Sequence, residues 1–190
     1  MFYVGGGKLT FRIEDGGMNN KINVAKNVIG GRMRIVMRGN NNTVVISDEC
    51  KLKLGNTIFI QGDNNRVFIG KNVTFDQNAL IVVCEGTEVT IGANCIFANG
   101  VTIRTSDQHA IYDSQGKRIN MAKNVVIGNH VWLGAHVVVM KGTNIGDGSI
   151  IGMCSMVTKN IPNNTIAVGT PAKVKKEDIH WSETLKPKSE

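Results

Sequence analysis

His109 stands in the polar stretch RTSDQHAIYDSQGKRINMAKN (residues 104–124), flanked by Asp107 and Asp113. Histidine is the side chain that most often serves as a general base near neutral pH. A carboxylate beside it can orient the ring and favour the imidazolium that forms when it takes a proton. A solvated surface histidine has the same signature, and residue types alone separate neither these two readings nor Asp107 from Asp113 as the partner. His130 and His136 suggest a metal site shared with His109, but they lie six residues apart at positions that Asn72, Asn94 and Asn160 also occupy. Those are corner positions, and successive corners do not converge on one ion with ligands at ~2.1 Å; a site built from two subunits stays open. Trp132 reads as an outward aromatic, either an interface anchor or the wall of a ligand groove. Thr158–Lys159 and Gly169-Thr170-Pro171-Ala172-Lys173 end in lysines that can meet phosphates or simply water. Met140 and Met153 read as packing.

These groups must be positioned by the surrounding repeat. From Val125 to Ile161, the residues Ile127, Leu133, Val139, Ile145, Ile151 and Val157 recur every six positions. Two residues before each comes Val125, Val131, Val137, Thr143, Ser149 or Ser155, so inward positions alternate at spacings of two and four. A spacing of two is one face of a strand, and a spacing of four crosses a corner. A hexad of short strands and tight corners predicts a parallel β-helix. Upstream, GNNNTVVIS (39–47), GDNNRVFIG (62–70) and EGTEVTIG (85–92) begin 23 residues apart. The hexad persists in Ile46/Leu52/Ile58, Ile69/Phe75/Ile81 and Ile91/Phe97/Ile103, so the polar starts read as enlarged corners. The expected organisation is a single domain over 1–190. Within it, 1–38 are irregular capping strands, 39–172 the β-helix with a protruding loop at 104–124, and 173–190 a short C-terminal helix around Ile179, Trp181 and Leu185. A loop of that length inside a compact repeat is usually functional.

Composition narrows the class. Aromatics are 5% of the 190 residues, which suits a narrow interior of Val, Ile, Ser and Thr, and glycine and asparagine supply the corners. The net charge of +7 is scattered apart from Lys173, Lys175 and Lys176, and no recognition motif accompanies it, so no nucleic-acid partner is expected. Cys50, Cys84, Cys95 and Cys154 form no CxxC pair, which predicts buried free thiols in a reducing compartment. The N-terminus lacks the order of a signal peptide, and no apolar run approaches the ~18 residues of a membrane span. A cytoplasmic location is expected.

IGNHVWLGAHVVVMKGTNIGDGSIIGMCSMVTKNIPNNTIAVGTPAKVKK resembles the C-terminal half of the hexapeptide-repeat acyltransferases. RTSDQHAIYDSQGKRIN followed by VVIGNHVWLG resembles the branch of O-acetyltransferases that modify capsular or other surface polysaccharides. The likeness covers about residues 67–181. It implies an all-β, left-handed parallel β-helix, a homotrimer, and acetyl-CoA in the groove between neighbouring prisms. It implies His109 as catalytic base, with Asp107 beside it in the catalytic set and Trp132 shaping the acceptor and thioester end of the groove. Ala135, Met153, Thr158, Lys159, Lys173 and Lys176 match cofactor-lining positions, and no metal is implied. Where galactoside-type enzymes carry an acceptor-binding Asn, this chain has Asp76, with Asn78 nearby; their GHP segment is SDQHA, and their N-terminal helical region is missing. A galactoside-type acceptor site is therefore not expected. The resulting expectation is acetyl-CoA-dependent O-acetylation of a sugar hydroxyl in a surface polysaccharide or its precursor. The alternatives are N-acetylation of an amino-sugar nucleotide, acetylation of an antibiotic scaffold, and a non-catalytic β-helix. A metalloenzyme of the γ-carbonic-anhydrase kind would need three convergent histidines.

Overall fold

Inward residues of the hexads stack in register up the molecule, and that stacking defines its architecture. The computed structural model describes residues 3–4 and 9–185. Its strands form three sheets, one per side of a prism, parallel except for Tyr3–Val4 and Lys173–Lys176, and the chain visits the sides in fixed rotation. Side one carries Leu9–Asp15, Arg32–Arg38, Thr57–Gln61, Leu80–Cys84, Thr102–Arg104, Val138–Val139 and Met156–Val157. Side two carries Lys21–Val24, Thr43–Ile46, Arg66–Ile69, Glu88–Ile91, Val125–Ile127 and Asn144–Ile145. Side three carries Ile29–Gly30, Lys51–Leu52, Thr74–Phe75, Ile96–Phe97, Trp132–Leu133, Ile150–Ile151 and Ile166–Val168.

Each side contributes one interior column. Ile35, Ile58, Ile81, Ile103, Val139 and Val157 pair in succession on side one, and Ile46, Ile69, Ile91, Ile127 and Ile145 on side two. Leu52, Phe75, Phe97, Leu133, Ile151 and Ala167 do so on side three. All are buried, as are the second inward positions Val125, Val131, Val137, Thr143, Ser149 and Ser155. Each large side chain so buried contributes about 1.5–3 kcal/mol. Phe75 and Phe97 meet edge to face at 4.8 Å within the side-three column. Where a glycine follows the inward residue on sides two and three, the reason is steric: a Cβ at Gly92 would lie 2.6 Å from the backbone carbonyl of Gly128 in the coil above, and one at Gly134 2.6 Å from the amide of Met153.

Two features differ from the expectation. The strands from Leu9 to Arg38 already follow the three-sided path, so regular coiling begins well before residue 39. The hexad is broken there because its side-three position is Gly30, and the inward Ile35 of side one follows it after five residues, not six. Beyond Val168 there is no helix among the described residues. Lys173–Lys176 instead folds back antiparallel on Ile166–Val168, with a bulge at Ile166/Ala167. The pairing satisfies a sheet edge that a helix would leave open. Trp181 is buried but Leu185 is fully exposed, so the apolar spacing that suggested a helix has no common face; residues 186–190 of that segment lie outside the described residues. Among the described residues no helix is long and apolar enough to cross a membrane.

Cys50, Cys84 and Cys95 are buried free thiols as expected, and burial pushes the Cys95 thiol up to about 12. Cys154 departs from the expectation: it is exposed, on a left-handed corner at φ 57°.

Candidate active site

The enlarged corners at 39, 62 and 85 all lie between sides one and two, and the 105–124 loop occupies this same corner in the next coil. A polar ladder runs inside that corner. The Asn42 amide donates to Asn20 Oδ1 (2.9 Å), Asn65 to Asn42 Oδ1 (2.8 Å) and Thr87 to Asn65 Oδ1 (3.1 Å). Thr87 and Thr105 then bond through their hydroxyls at 2.6 Å, and Thr105 Oγ1 also accepts the Cys84 amide. Buried polar groups need such partners. The ladder therefore fixes the base of the loop that carries His109.

Above Thr105 the loop is tied from both neighbouring coils. From below, Glu85 accepts Ser106 Oγ at 2.5 Å and pairs with both terminal nitrogens of Arg118, at 3.0 and 2.6 Å. From above, the Lys141 ammonium donates to the Asp107 carboxylate and to the Asn120 carbonyl. Asn120 is the hub between them. Its Nδ2 donates to Asp107 Oδ2 and to the His109 carbonyl, each at 2.8 Å, while its Oδ1 accepts the Ile111 amide at 2.7 Å and Arg118 Nε at 3.3 Å. Asp113 closes the tip by accepting the amides of Gln115 and Lys117 at 2.9 Å. Gln108, at φ 62°, turns the chain so that His109 follows on an exposed shoulder.

This geometry assigns the acidic neighbours. Neither Asp107 nor Asp113 hydrogen-bonds the His109 ring; His109 is held through its backbone carbonyl, and Asp107 acts on it through Asn120. Glu85, Arg118, Asn120 and Lys141 were not singled out in the sequence. Glu85 heads the third 23-residue segment and Arg118 and Asn120 lie in the interrupting stretch, but no local spacing links them to one another.

Both carboxylates of the tether are held below the usual carboxylate range. For Asp107 the Lys141 bond is the main cause, with Asn120 adding to it against the opposing effect of burial. For Glu85 the main cause is Arg118, followed by Ser106. A carboxyl whose folded value is depressed contributes stability that is fully present above its unfolded value and is lost as pH falls through the folded one. Amide exchange across residues 105–124, corrected for its intrinsic pH dependence, is therefore expected to stay slow from neutrality down to about pH 4 and to accelerate only below that. Loosening that began near pH 6 would contradict the tether.

The remaining candidates lie elsewhere on the prism. Trp132 projects from side three, 42% exposed. Ala135 and Met153 stack at the corner between sides three and one, where the Cys154 amide donates to the Ala135 carbonyl at 2.9 Å. Met153 is 67% exposed and packs into no core of its own chain, contrary to the packing expectation. Thr158 and Lys159 lie between sides one and two, one coil beyond Lys141, and Lys173 and Lys176 on the folded-back strand of side three. His109, His130 and His136 occupy the three different corners of a single coil, the last two at φ 53° and 58°. Among the described residues no three His, Cys, Asp or Glu side chains come together as a metal site would require.

The C-terminal segment adds a contact of its own. Trp181 stacks on the His130 ring with centroids 3.9 Å apart; its Nε1 donates to the His130 carbonyl at 3.0 Å, and His130 Nε2 lies 3.1 Å from the Trp181 carbonyl. Trp132 lies 5.9 Å from Trp181, so the clasp forms one flank of the exposed indole.

Comparison with known proteins gives this arrangement a family. Residues 124–159 match the family model described as bacterial transferase hexapeptide (six repeats). The chain is 34% identical over 154 residues to a polysialic acid O-acetyltransferase of Neisseria meningitidis, covering 70% of this chain and 71% of that one. The crystal structure of the polySia-specific acetyltransferase NeuO superposes with a TM-score of 0.71 at 33% identity, over 94% of this chain and 92% of the other. A galactoside acetyltransferase in complex with coenzyme A superposes at 0.51 and 32% identity, over 66% and 67%. With its three-sided β-helix, its interrupting histidine loop and these likenesses, the chain belongs to the hexapeptide-repeat acetyltransferases, enzymes of the acyltransferase class.

Proposed function

We propose that this enzyme transfers the acetyl group of acetyl-CoA to a sugar hydroxyl of a surface polysaccharide or its precursor, with His109 as general base. The observation that carries this reading is the loop itself. Glu85, Ser106, Asp107, Arg118, Asn120 and Lys141, drawn from three successive coils, tie down a polar excursion whose exposed residues include His109, an imidazole with no structural task. A free ring nitrogen takes the proton of the acceptor hydroxyl as its oxygen attacks the thioester carbonyl. The tetrahedral intermediate collapses, the carbon–sulfur bond breaks, and the imidazolium returns the proton to the departing thiolate. Donors to the oxyanion stabilise the step most when they are preorganised, as backbone amides are.

The donor and the base are brought together between copies of the chain. Ala135 and Met153 lie on one corner and Thr158 and Lys159 on the next. A groove between the adjacent prisms of a homotrimer unites them, and the exposure of Met153 and Trp132 favours this. Lys159, Lys173 and Lys176 then meet the phosphates of the donor as point charges. Replacing Lys159 and Lys173 together by alanine is expected to raise the KM for acetyl-CoA by about tenfold, the effect of ~1.4 kcal/mol, and to leave the acceptor KM in place. An unchanged donor KM would remove the phosphate role. The reading as a whole is tested by thiol release from acetyl-CoA against a panel of polysaccharides, sugar nucleotides and aminoglycosides. Transfer confined to aminoglycosides, or to the amine of an amino-sugar nucleotide, would replace it.

A further inference from the structure

Beyond the folded-back strand Lys173–Lys176 the chain runs down the corner between sides two and three. The Ile179 amide donates to the Asn164 carbonyl at 3.0 Å, and two coils lower Trp181 reaches His130. Trp181 is buried although it belongs to no strand or helix. Its place is set by His130, through ring stacking at 3.9 Å with the two planes parallel and through a polar contact in each direction. A carbonyl only accepts, so the contact to the Trp181 carbonyl uses a proton on His130 Nε2. The turn alone does not require this ring. Asn72 and Asn94 fill the same left-handed slot in the coils below, at φ 54° and 59°.

What the clasp does for its neighbour follows from the register. Trp132 stands in the outward column of side three, with Ile96 below it and Ile150 above. Along its own strand, the corner it comes from holds Trp181, whose ring centre lies 5.9 Å from that of Trp132 at a tilt of 47°. Aromatic rings attract at that separation. The corner it leads to starts with Gly134 and Ala135, whose side chains are too small to wall it, and Met153 stacks directly above them. The indole is therefore bounded above, below and on the His130 side, and is open to solvent and to the Ala135–Met153 corner. A tryptophan on an open sheet face has several rotamers to choose from. A fixed ring beside it removes those that swing toward His130.

We infer that Trp181 is a positioning residue for acetyl transfer: clasped on His130, it holds the Trp132 indole toward the corner of Ala135 and Met153. The inference deepens the reading of Trp132 and that corner as parts of the donor groove, and rests on it. A side chain that acts by fixing another leaves the binding of distant phosphates alone. It sets how often the reacting ends meet in register, so its effect falls on kcat.

The chain has two tryptophans, so every Trp181 variant of the full-length protein leaves Trp132 as the single indole reporter. Trp181→Phe keeps a ring on His130 and is expected to retain most of the activity. Trp181→Ala is expected to lower kcat about five- to tenfold with the KM for acetyl-CoA within about twofold, a smaller loss than the roughly 10²-fold cost of displacing a catalytic group itself. Acrylamide is expected to quench Trp132 fluorescence more strongly in the alanine protein than in the phenylalanine one. His130→Asn removes the stacking ring while keeping a residue that suits the left-handed corner. It is expected to reproduce the loss in kcat, and it carries the test where Trp181→Ala is unstable. Rates are read as thiol release with the member of the acceptor panel that turns over fastest. In a Trp132→Ala background neither substitution is expected to lower kcat further. Wild-type kcat in both Trp181→Ala and His130→Asn overturns the inference, as do losses that add to that of Trp132→Ala, or a loss in Trp181→Ala with quenching unchanged. Failure of the underlying reading looks different: wild-type kcat in Trp132→Ala itself removes the indole from the groove, and the positioning role falls with it.

Discussion

His109→Ala is expected to lower kcat for acetyl transfer by about 10²–10⁴-fold, the range contributed by a positioned general base, with little change in the KM for acetyl-CoA. The imidazole is exposed, and the residue is held through its backbone carbonyl, which alanine retains. Removing the ring therefore costs the fold little, within about 0.5 kcal/mol for an exposed side chain outside the packed core. The measurement pairs initial rates on the acceptor with the midpoint of thermal unfolding. A loss of rate with an unchanged midpoint isolates chemistry from structure. Retention of the wild-type rate would remove His109 from the mechanism and return it to the solvated reading that its residue type always allowed.

Much of the fold was legible because it is periodic along the chain. An inward side chain every six residues must stack on its equivalent one coil away, and Ile91, Ile127 and Ile145 do so. Corners were legible for the same reason: His130 takes a left-handed slot that Asn72 and Asn94 fill in the coils below. The position of the loop was legible, since a polar run broke a strict repeat. What holds the loop was not. Glu85 and Lys141 lie in the coils below and above, brought to Asp107, Arg118 and Asn120 by the prism and not by any local spacing. Residue types left both Asp107 and Asp113 open as partners of His109, but Lys141 and Asn120 take the Asp107 carboxylate and the loop-tip amides take that of Asp113. The C-terminal segment failed for a related reason. Its apolar residues matched a helical spacing, yet Lys173–Lys176 found an open sheet edge and Trp181 found the His130 ring, both set by the fold. Arg12 and Arg34 likewise read as scattered charge until the register of side one pairs them across Glu14.

Asn120 gives the sharpest test of whether loop rigidity serves catalysis. Its amide donates to Asp107 and to the His109 carbonyl while its oxygen accepts from Ile111 and Arg118, so one side chain fixes both strands of the loop. Asn120→Ala removes all four bonds and leaves the His109 carbonyl without its tether. A displacement of about 1 Å in a catalytic group costs on the order of 10²-fold in rate, and a loss of that size in kcat is expected here with the acetyl-CoA KM preserved. Because the loop stands outside the stacked core, the unfolding midpoint should move little while amide exchange in residues 105–124 accelerates. Asn120→Asp separates geometry from bonding. It is nearly isosteric and keeps the acceptor for Ile111, but it sets a second carboxylate against Asp107 where a donor stood at 2.8 Å. Like charges so close oppose each other even beside Lys141, so the aspartate variant should be no better than alanine at neutral pH and should close part of its gap to the wild type, both measured at the same pH, as acid protonates one of the pair. A purely steric role would let the aspartate side chain work as well as the native amide, and wild-type kcat in that variant would show that the loop needs only its shape.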